Sequence, residues 1–144
     1  MQDGARKIHL VRHGESTFNS VRRVQGNAVA NRLSERGRRQ AALLGERLAG
    51  MDFDRVFCSS AERASETARI ALSDDHKIEF LDDLREISFG EWEGMLVSEV
   101  REKYPGVLEK WFKAPSSVSI EGAEPYLEFH ARATGAVDRI VEET

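Results

Sequence analysis

The sequence predicts an α/β fold built on a largely parallel sheet, and three observations carry that prediction. Short apolar runs of strand length alternate with stretches of helical period. The first run, Ile8-His9-Leu10-Val11, halts abruptly at Arg12-His13-Gly14. The second, Arg55-Val56-Phe57-Cys58, passes through Ser59-Ser60 into a helical stretch, repeating the order of strand, cap and helix. In such sheets ligands bind beyond the carboxyl ends of the strands, so the residues just after each strand are the candidates for chemistry.

Each element follows from its local pattern. Residues 8–11 read as the first strand, and a loop through Asn31 follows, with Gln25-Gly26-Asn27 as its turn signal. Loops of this length in small domains are often functional. Residues 33–50 read as a helix with Ser34 as N-cap, Ala41, Leu44 and Leu48 on one stripe, and Gly50 at the C′ position. Its other face carries Glu35, Arg39 and Glu46. Residues 55–58 form the second strand, after which Ser60 caps a helix to Leu72 whose inner side is Ala64, Ala68 and Ala71. Residues 78–84 are a third extended segment, leading into the structured loop Phe89-Gly90-Glu91-Trp92-Glu93-Gly94. Two short helices, 97–104 and 107–112, are parted by Pro105-Gly106, and 114–123 is loop. The last helix opens at Pro125 and carries Phe129, Ala133, Ala136, Val137, Ile140 and Val141 on one face. No repeat or linker interrupts the 144 residues, which predicts a single domain over 1–144.

Composition narrows the function. Twenty-five acidic against 21 basic residues give a net charge of −4, so no global attraction for nucleic acid or an acidic membrane is expected and any anion site must be local. Arg22-Arg23, Arg36 and Arg38-Arg39 read as solvated faces. The single cysteine, Cys58, rules out an internal disulfide and fits a reducing compartment; its apolar neighbours Val56 and Phe57 make it a buried thiol rather than a nucleophile. No apolar run approaches the ~18 residues of a membrane span, and residues 1–6 are too polar and short to open a signal peptide. A cytoplasmic protein is expected. His9, His76 and His130 are far apart along the chain and Cys58 is alone, so a metal site is not expected. Nucleophile-elbow, Walker and dinucleotide motifs are absent from the sequence.

The chemistry concentrates after strand ends. Adjacent strand side chains face opposite ways, so Arg12 and His13 can serve one ligand only where the backbone leaves strand geometry, and Gly14 makes that departure cheap. Ser16, Thr17 and Asn19 supply short hydrogen-bonding groups. A permanent guanidinium beside an imidazole suits an anionic, tetrahedral ligand such as a phosphoryl group. Arg63, in the first turn of the second helix, is unfavourable against the helix dipole, and a bound phosphate would account for it. The plain alternative is an exposed arginine paired with Glu66 or Glu62. Glu86 follows the third extended segment; a carboxyl desolvated there stays protonated and can donate to a leaving alkoxide. Glu91 and Glu93 have similar claims, and a solvated loop acid is the plain reading of all three.

Together these residues resemble a known family. Leu10-Val11-Arg12-His13-Gly14-Glu15-Ser16-Thr17-Phe18-Asn19 is similar to the signature of the histidine phosphatase superfamily, the phosphoglycerate mutase-like proteins. It is joined in order by Gln25-Gly26, Leu33-Ser34-Glu35-Arg36-Gly37 with Gln40-Ala41, Ser59-Ser60 with Arg63-Ala64 and Thr67-Ala68, Leu84-Arg85-Glu86, Phe89-Gly90-Glu91-Trp92-Glu93-Gly94, and Gly122 with Glu124. The resemblance implies a three-layer α/β/α sandwich with a mostly parallel sheet. It implies two-step phosphoryl transfer in which His13 is the nucleophile and forms a phosphohistidine, Arg12 and Arg63 hold the equatorial oxygens, and Glu86 is the acid and base. Asn19 and the backbone near Gly14 would add hydrogen bonds to the phosphate, Gln25 and Gly26 would line a substrate-facing loop, and no metal or organic cofactor is implied. The implied substrate is a small phosphorylated metabolite. Phosphoglycerate mutases carry a longer insertion where this chain has only the stretch from Gly94 to Gly122, which favours a phosphatase; a mutase, or a phosphate-binding module without turnover, is the alternative.

One departure accompanies the match. Family members carry a second histidine after a late apolar strand, and this sequence stops before that place; His130 lies within the last amphipathic helix and does not substitute for it. That late strand lies between the first two in the family fold. The expectation is therefore a fold incomplete at its C-terminal end, nearly inactive as it stands, unless a second copy in a homodimer supplies the strand.

Overall fold

A computed structural model describes residues 7–27, 31–72 and 74–143. Residues 1–6, read above for a leader, and 28–30 of the long loop lie outside the described residues. The elements run α1 (Thr17–Ser20), α2 (Glu35–Leu48), β1 (Val56–Ser59), α3 (Glu62–Ala71), β2 (Ile78–Leu81), α4 (Val97–Lys103), α5 (Val107–Lys113) and α6 (Tyr126–Glu143). Single 3₁₀ turns form at Asp82–Leu84, Gly90–Trp92 and Pro115–Ser117. β1 and β2 pair in parallel from Val56 opposite Ile78 to Ser59 opposite Leu81, with α3 as the crossover between them. The mixed α/β class with a parallel sheet is as the strand and helix alternation predicts.

Four local expectations are corrected. Residues 8–11 are not a strand: no ladder partner pairs with them among the described residues, and Ile8, Leu10 and Val11 are 60%, 93% and 52% exposed. A strand requires a neighbour to hydrogen-bond with, and an apolar run supplies only the propensity. The loop that follows holds a one-turn helix, α1, because Ser16 and Asn19 form a reciprocal capping box: the Ser16 side chain accepts from the Asn19 amide at 3.0 Å and the Asn19 Oδ1 accepts from the Ser16 amide at 3.1 Å. Ser60 does not cap α3; Ala61 occupies the N-cap position without a side-chain bond, and the Ser60 hydroxyl instead donates to Asp82 after β2. The third extended segment ends at Leu81, where the 3₁₀ turn begins.

The buried stripe of α3 also differs by one position. Arg63, Thr67 and Ala71, spaced i, i+4, i+8, are buried, while Ala64 and Ala68 are only half-buried. The inner stripe is therefore partly polar, which periodicity of apolar residues alone does not reveal. On α2, Ser34 caps as expected, its hydroxyl accepting from the Gly37 amide at 3.1 Å, and Ala41 is buried. Gly50 takes a left-handed φ of 78° just past the helix. On α6 Ala136 is buried, Phe129, Ala133, Ile140 and Val141 are half-buried, and Val137 faces solvent.

Two packing features position the site. Trp92, Val100 and Leu108 form an apolar cluster, joined by Val24, Phe89, Met95, Val97 and Tyr104, which anchors the 89–97 segment under α4 and α5. At the other side α2 meets the 13–16 turn backbone to backbone: a Cβ on Gly14 would lie 2.5 Å from the Gly37 carbonyl oxygen, and one on Gly37 would collide with the Glu15 carbonyl. Neither contact has a flexible side chain that could yield. Gly37→Ala should therefore lower stability by about 1–3 kcal/mol, the usual cost of overpacking, whereas the exposed Leu43→Ala should stay within about 0.5 kcal/mol. Urea unfolding midpoints of the two variants check this, and equal midpoints would contradict the packing described.

Candidate active site

Arg63 enters the site because β1 ends at Ser59 and α3 starts at Glu62, which puts the second residue of the helix beyond the carboxyl end of the strand. The plain reading of an exposed, ion-paired arginine does not hold, since Arg63 is only 4% exposed. Its Nε–H donates to His13 Nε2 at 3.2 Å, and its Nη2 donates to the Gly26 carbonyl at 3.1 Å. Residues 50 positions apart in sequence are thus brought into direct contact.

The imidazole is fixed from its other nitrogen. His13 Nδ1 lies 2.6 Å from its neighbour's carbonyl oxygen, that of Gly14, which assigns the proton to Nδ1 and leaves a lone pair on Nε2. The Gly14 amide in turn donates to Thr67 Oγ1 at 3.1 Å, and the Thr67 hydroxyl donates to the Arg63 carbonyl one turn back at 2.7 Å. One α3 stripe therefore supplies both the guanidinium that meets His13 and the hydroxyl that holds the backbone beside it. Burial is the largest influence on His13 and lowers its pKa below the ordinary 6.5; the Gly14 carbonyl opposes this, and the charges of Arg63 and Arg12 reinforce it. Burial likewise lowers the Arg63 pKa, with Glu86 opposing.

Arg12 is exposed, and its charge acts on His13. Glu86 reaches the same place from the end of the β2 segment, its charge acting on both His13 and Arg63, and its Oε1 accepts from the Ile87 amide at 3.0 Å. The expected desolvation of Glu86 is not found, because the residue is exposed.

Of the polar residues in the turn, Ser16 is fully buried and committed to structure: its hydroxyl lies 2.6 Å from Gln25 Oε1, which also accepts from Asn31 Nδ2 at 2.8 Å. Its expected contact with a ligand is replaced by this scaffold, since a buried hydroxyl has one proton to give. Asn19 and Gln25 both use their side-chain oxygens in the network. Thr17 is exposed, with its hydroxyl 3.3 Å from Asn31 Oδ1. Gly26 lines the site with its carbonyl at a φ of 50°.

Thr67, Asn31 and Gln40 brace the site although no local sequence pattern marks them for it, Thr67 and Gln40 standing only in the family-like motifs; Gln40 Oε1 accepts from the Glu15 amide at 2.8 Å. The i, i+4 spacing of Arg63 and Thr67 was the signal available for Thr67. Glu93 proves to be a brace, its Oε1 accepting from the amides of Asn27 at 2.8 Å and Phe89 at 2.9 Å. Burial pushes the Cys58 thiol up to about 11, with Arg69 opposing, which leaves it unreactive near neutral pH. Among the described residues no cluster of three or more His, Cys, Asp or Glu side chains could hold a metal ion, and no helix is long and apolar enough to cross a membrane.

An unprotonated imidazole nitrogen against one guanidinium, with the charges of a second guanidinium and a carboxyl acting on it, is an arrangement chemically able to hold a phosphoryl group. The profile of the histidine phosphatase superfamily (branch 1) matches residues 8–144. Phosphoserine phosphatase 1 of Hydrogenobacter thermophilus is 37% identical over 136 residues, covering 93% of this chain and 64% of that protein. The adenosylcobalamin/alpha-ribazole phosphatase of Escherichia coli is 37% identical over 110 residues, 73% of this chain and 54% of that one. The crystal structure of a putative alpha-ribazole-5'-P phosphatase from E. coli superposes with a TM-score of 0.82 at 30% identity, covering 93% of this chain and 66% of that chain. The chain belongs to the histidine phosphatase superfamily. It spans 66% of that structural neighbour, and 64% or less of the two curated relatives.

The His13 environment yields a prediction. Since the folded-state pKa is lowered, protonation of His13 opposes folding, and its contribution to stability is full above pH 6.5 and declines as pH falls through the lowered value. The Cε1 proton of His13, followed by NMR, should titrate below 6.5, and Arg63→Met should move the midpoint upward by removing one of the lowering charges. A wild-type midpoint at or above 6.5 would contradict the burial and charge described.

Proposed function

We propose that this chain forms the nucleophile-bearing part of a phosphomonoester hydrolase that acts on a small phosphorylated metabolite through a phosphohistidine. The observation that carries the reading is the His13 geometry: Nδ1 tied to the Gly14 carbonyl, Nε2 unprotonated and facing the Arg63 guanidinium. A phosphate that takes over the Arg63 Nε–H from His13 would lie against the Nε2 lone pair so released. Proximity of this kind converts a bimolecular attack into an intramolecular one.

In the first step the Nε2 lone pair forms a bond to phosphorus while the bond from phosphorus to the alcohol oxygen breaks. Glu86, as the general acid, gives its proton to the departing alkoxide. Arg12 and Arg63 neutralise the charge spread over the equatorial oxygens, and the amide nitrogens of Asn19 and Gln25 add donors. In the second step Glu86 takes a proton from water as the water oxygen attacks phosphorus and the N–P bond breaks. Phosphate leaves, and imidazole and carboxylic acid are restored. No metal or organic cofactor is required for either step.

The names of the relatives support hydrolysis over isomerisation: phosphoserine, 2-carboxy-D-arabinitol 1-phosphate and alpha-ribazole phosphatases stand among them. We place the catalytic unit in a single domain that includes residues 1–144, and in the cytoplasm.

Two outcomes test the assignment in the full protein. His13→Ala should abolish a phosphoenzyme that is acid-labile and base-stable, detected with a ³²P-labelled phosphomonoester; labelling undiminished in that variant would refute the nucleophile. Arg63→Ala should lower kcat/KM on the order of 10²–10³-fold, as removal of a preorganised charge stabiliser does. A loss below about threefold would contradict its role.

A further inference from the structure

The carboxyl assigned to proton transfer sits on a segment without helix or strand pairing, from Arg85 to Phe89. An exposed carboxyl on irregular backbone must be held from outside if it is to meet the leaving oxygen within a fraction of an ångström. The structure shows what holds it. Arg132, on the second turn of α6, donates through Nη1 to the carbonyl oxygens of Asp83 at 2.9 Å and Arg85 at 3.0 Å. The same guanidinium forks onto Glu124, Nε to Oε1 at 2.8 Å and Nη2 to Oε2 at 2.7 Å. Glu124 then grips the far side of the segment: its amide donates to the Ser88 carbonyl at 3.1 Å, and its Oε2 accepts from the Ser88 amide at 3.4 Å.

The acid is thus bracketed. Backbone groups at positions 83 and 85 on one side, and 88 on the other, are tied to a single ion pair built from α6 and the turn before it. The pair is partly shielded, each side chain being less than a quarter exposed. A bidentate fork of this kind fixes orientation as well as distance, which a point charge cannot. Nothing in the chemistry of a phosphate site calls for an arginine some 46 positions beyond the acid, yet its four bonds go to the carbonyls of Asp83 and Arg85, just ahead of the acid, and to Glu124.

We infer that Arg132 and Glu124 are positioning residues that set the Glu86 carboxyl against the leaving-group oxygen, so that α6 takes part in catalysis without touching substrate. This rests on the proposed phosphohydrolase reading. It makes a selective demand: general-acid help matters for a poor leaving group such as an alkyl alcohol and little for a phenolate that departs unaided.

The experiment compares β-glycerophosphate with p-nitrophenyl phosphate in the full protein. Arg132→Met should lower kcat/KM, which reports only the steps up to phosphoenzyme formation, on the order of tenfold to a hundredfold for the alkyl ester and by less than about threefold for the aryl ester. In an E86Q background the same substitution should have no further effect on the alkyl ester. Equal losses on both esters, or additivity with E86Q, would overturn the inference, since a merely structural role lowers both alike. Should Arg132→Met fail to fold, Arg132→Lys, which keeps the cation but loses the fork, carries the same comparison. A second measurement does not depend on turnover: amide hydrogen exchange at Ile87 and Ser88 should accelerate in the variant, and unchanged exchange there overturns the inference. If the wild type forms no phosphoenzyme the hydrolase reading fails by itself, and the exchange result still decides whether Arg132 restrains the acid's segment.

Discussion

A guanidinium buried against an unprotonated imidazole nitrogen is the contact on which the site depends. Burying a charge is costly unless it finds partners, and Arg63 finds them in His13 Nε2 and the Gly26 carbonyl. Its Nε and Nη2 are thereby bonded to protein. That arrangement explains an arginine in the first turn of α3, where the helix dipole disfavours it.

The rest of the scaffold follows from holding this pair. Thr67 ties the Gly14 backbone to α3, and the glycine contact with Gly37 ties it to α2. Ser16, Gln25 and Asn31 close the turn as a buried polar network. Such a network orients strongly when every member is satisfied. Glu93 then links the Gly26 loop to the turn above the Trp92 core, so the guanidinium's second acceptor is itself anchored. From the opposite side the Arg132–Glu124 fork fixes the segment that carries Glu86.

Much of this was legible in the sequence, for identifiable reasons. The α/β class came through because strand runs and helical periods alternate, and β1, β2 and α2 through α6 lie close to where the pattern places them. Ser34 was readable as a cap because a hydroxyl before a periodic run has one common use. Arg63 stood out because it contradicts the dipole. What was not legible depended on partners. Residues 8–11 have strand composition but no described neighbour to pair with, and Ser16 has ligand-like chemistry but spends it on Gln25. Thr67 looks like an ordinary helix residue until the turn across from it supplies an unpaired amide. Arg132 lies in a helix read for its apolar face, so its grip on the Glu86 segment required coordinates.

The fold holds His13 with its proton on Nδ1 and its Nε2 unprotonated before any ligand arrives. The most direct measurement is the long-range ¹H–¹⁵N correlation spectrum of the ligand-free protein, ¹⁵N-labelled at histidine, near pH 7.5. The account predicts a neutral ring with its proton on Nδ1 and an unprotonated Nε2. A proton on Nε2, or on both nitrogens, would contradict it.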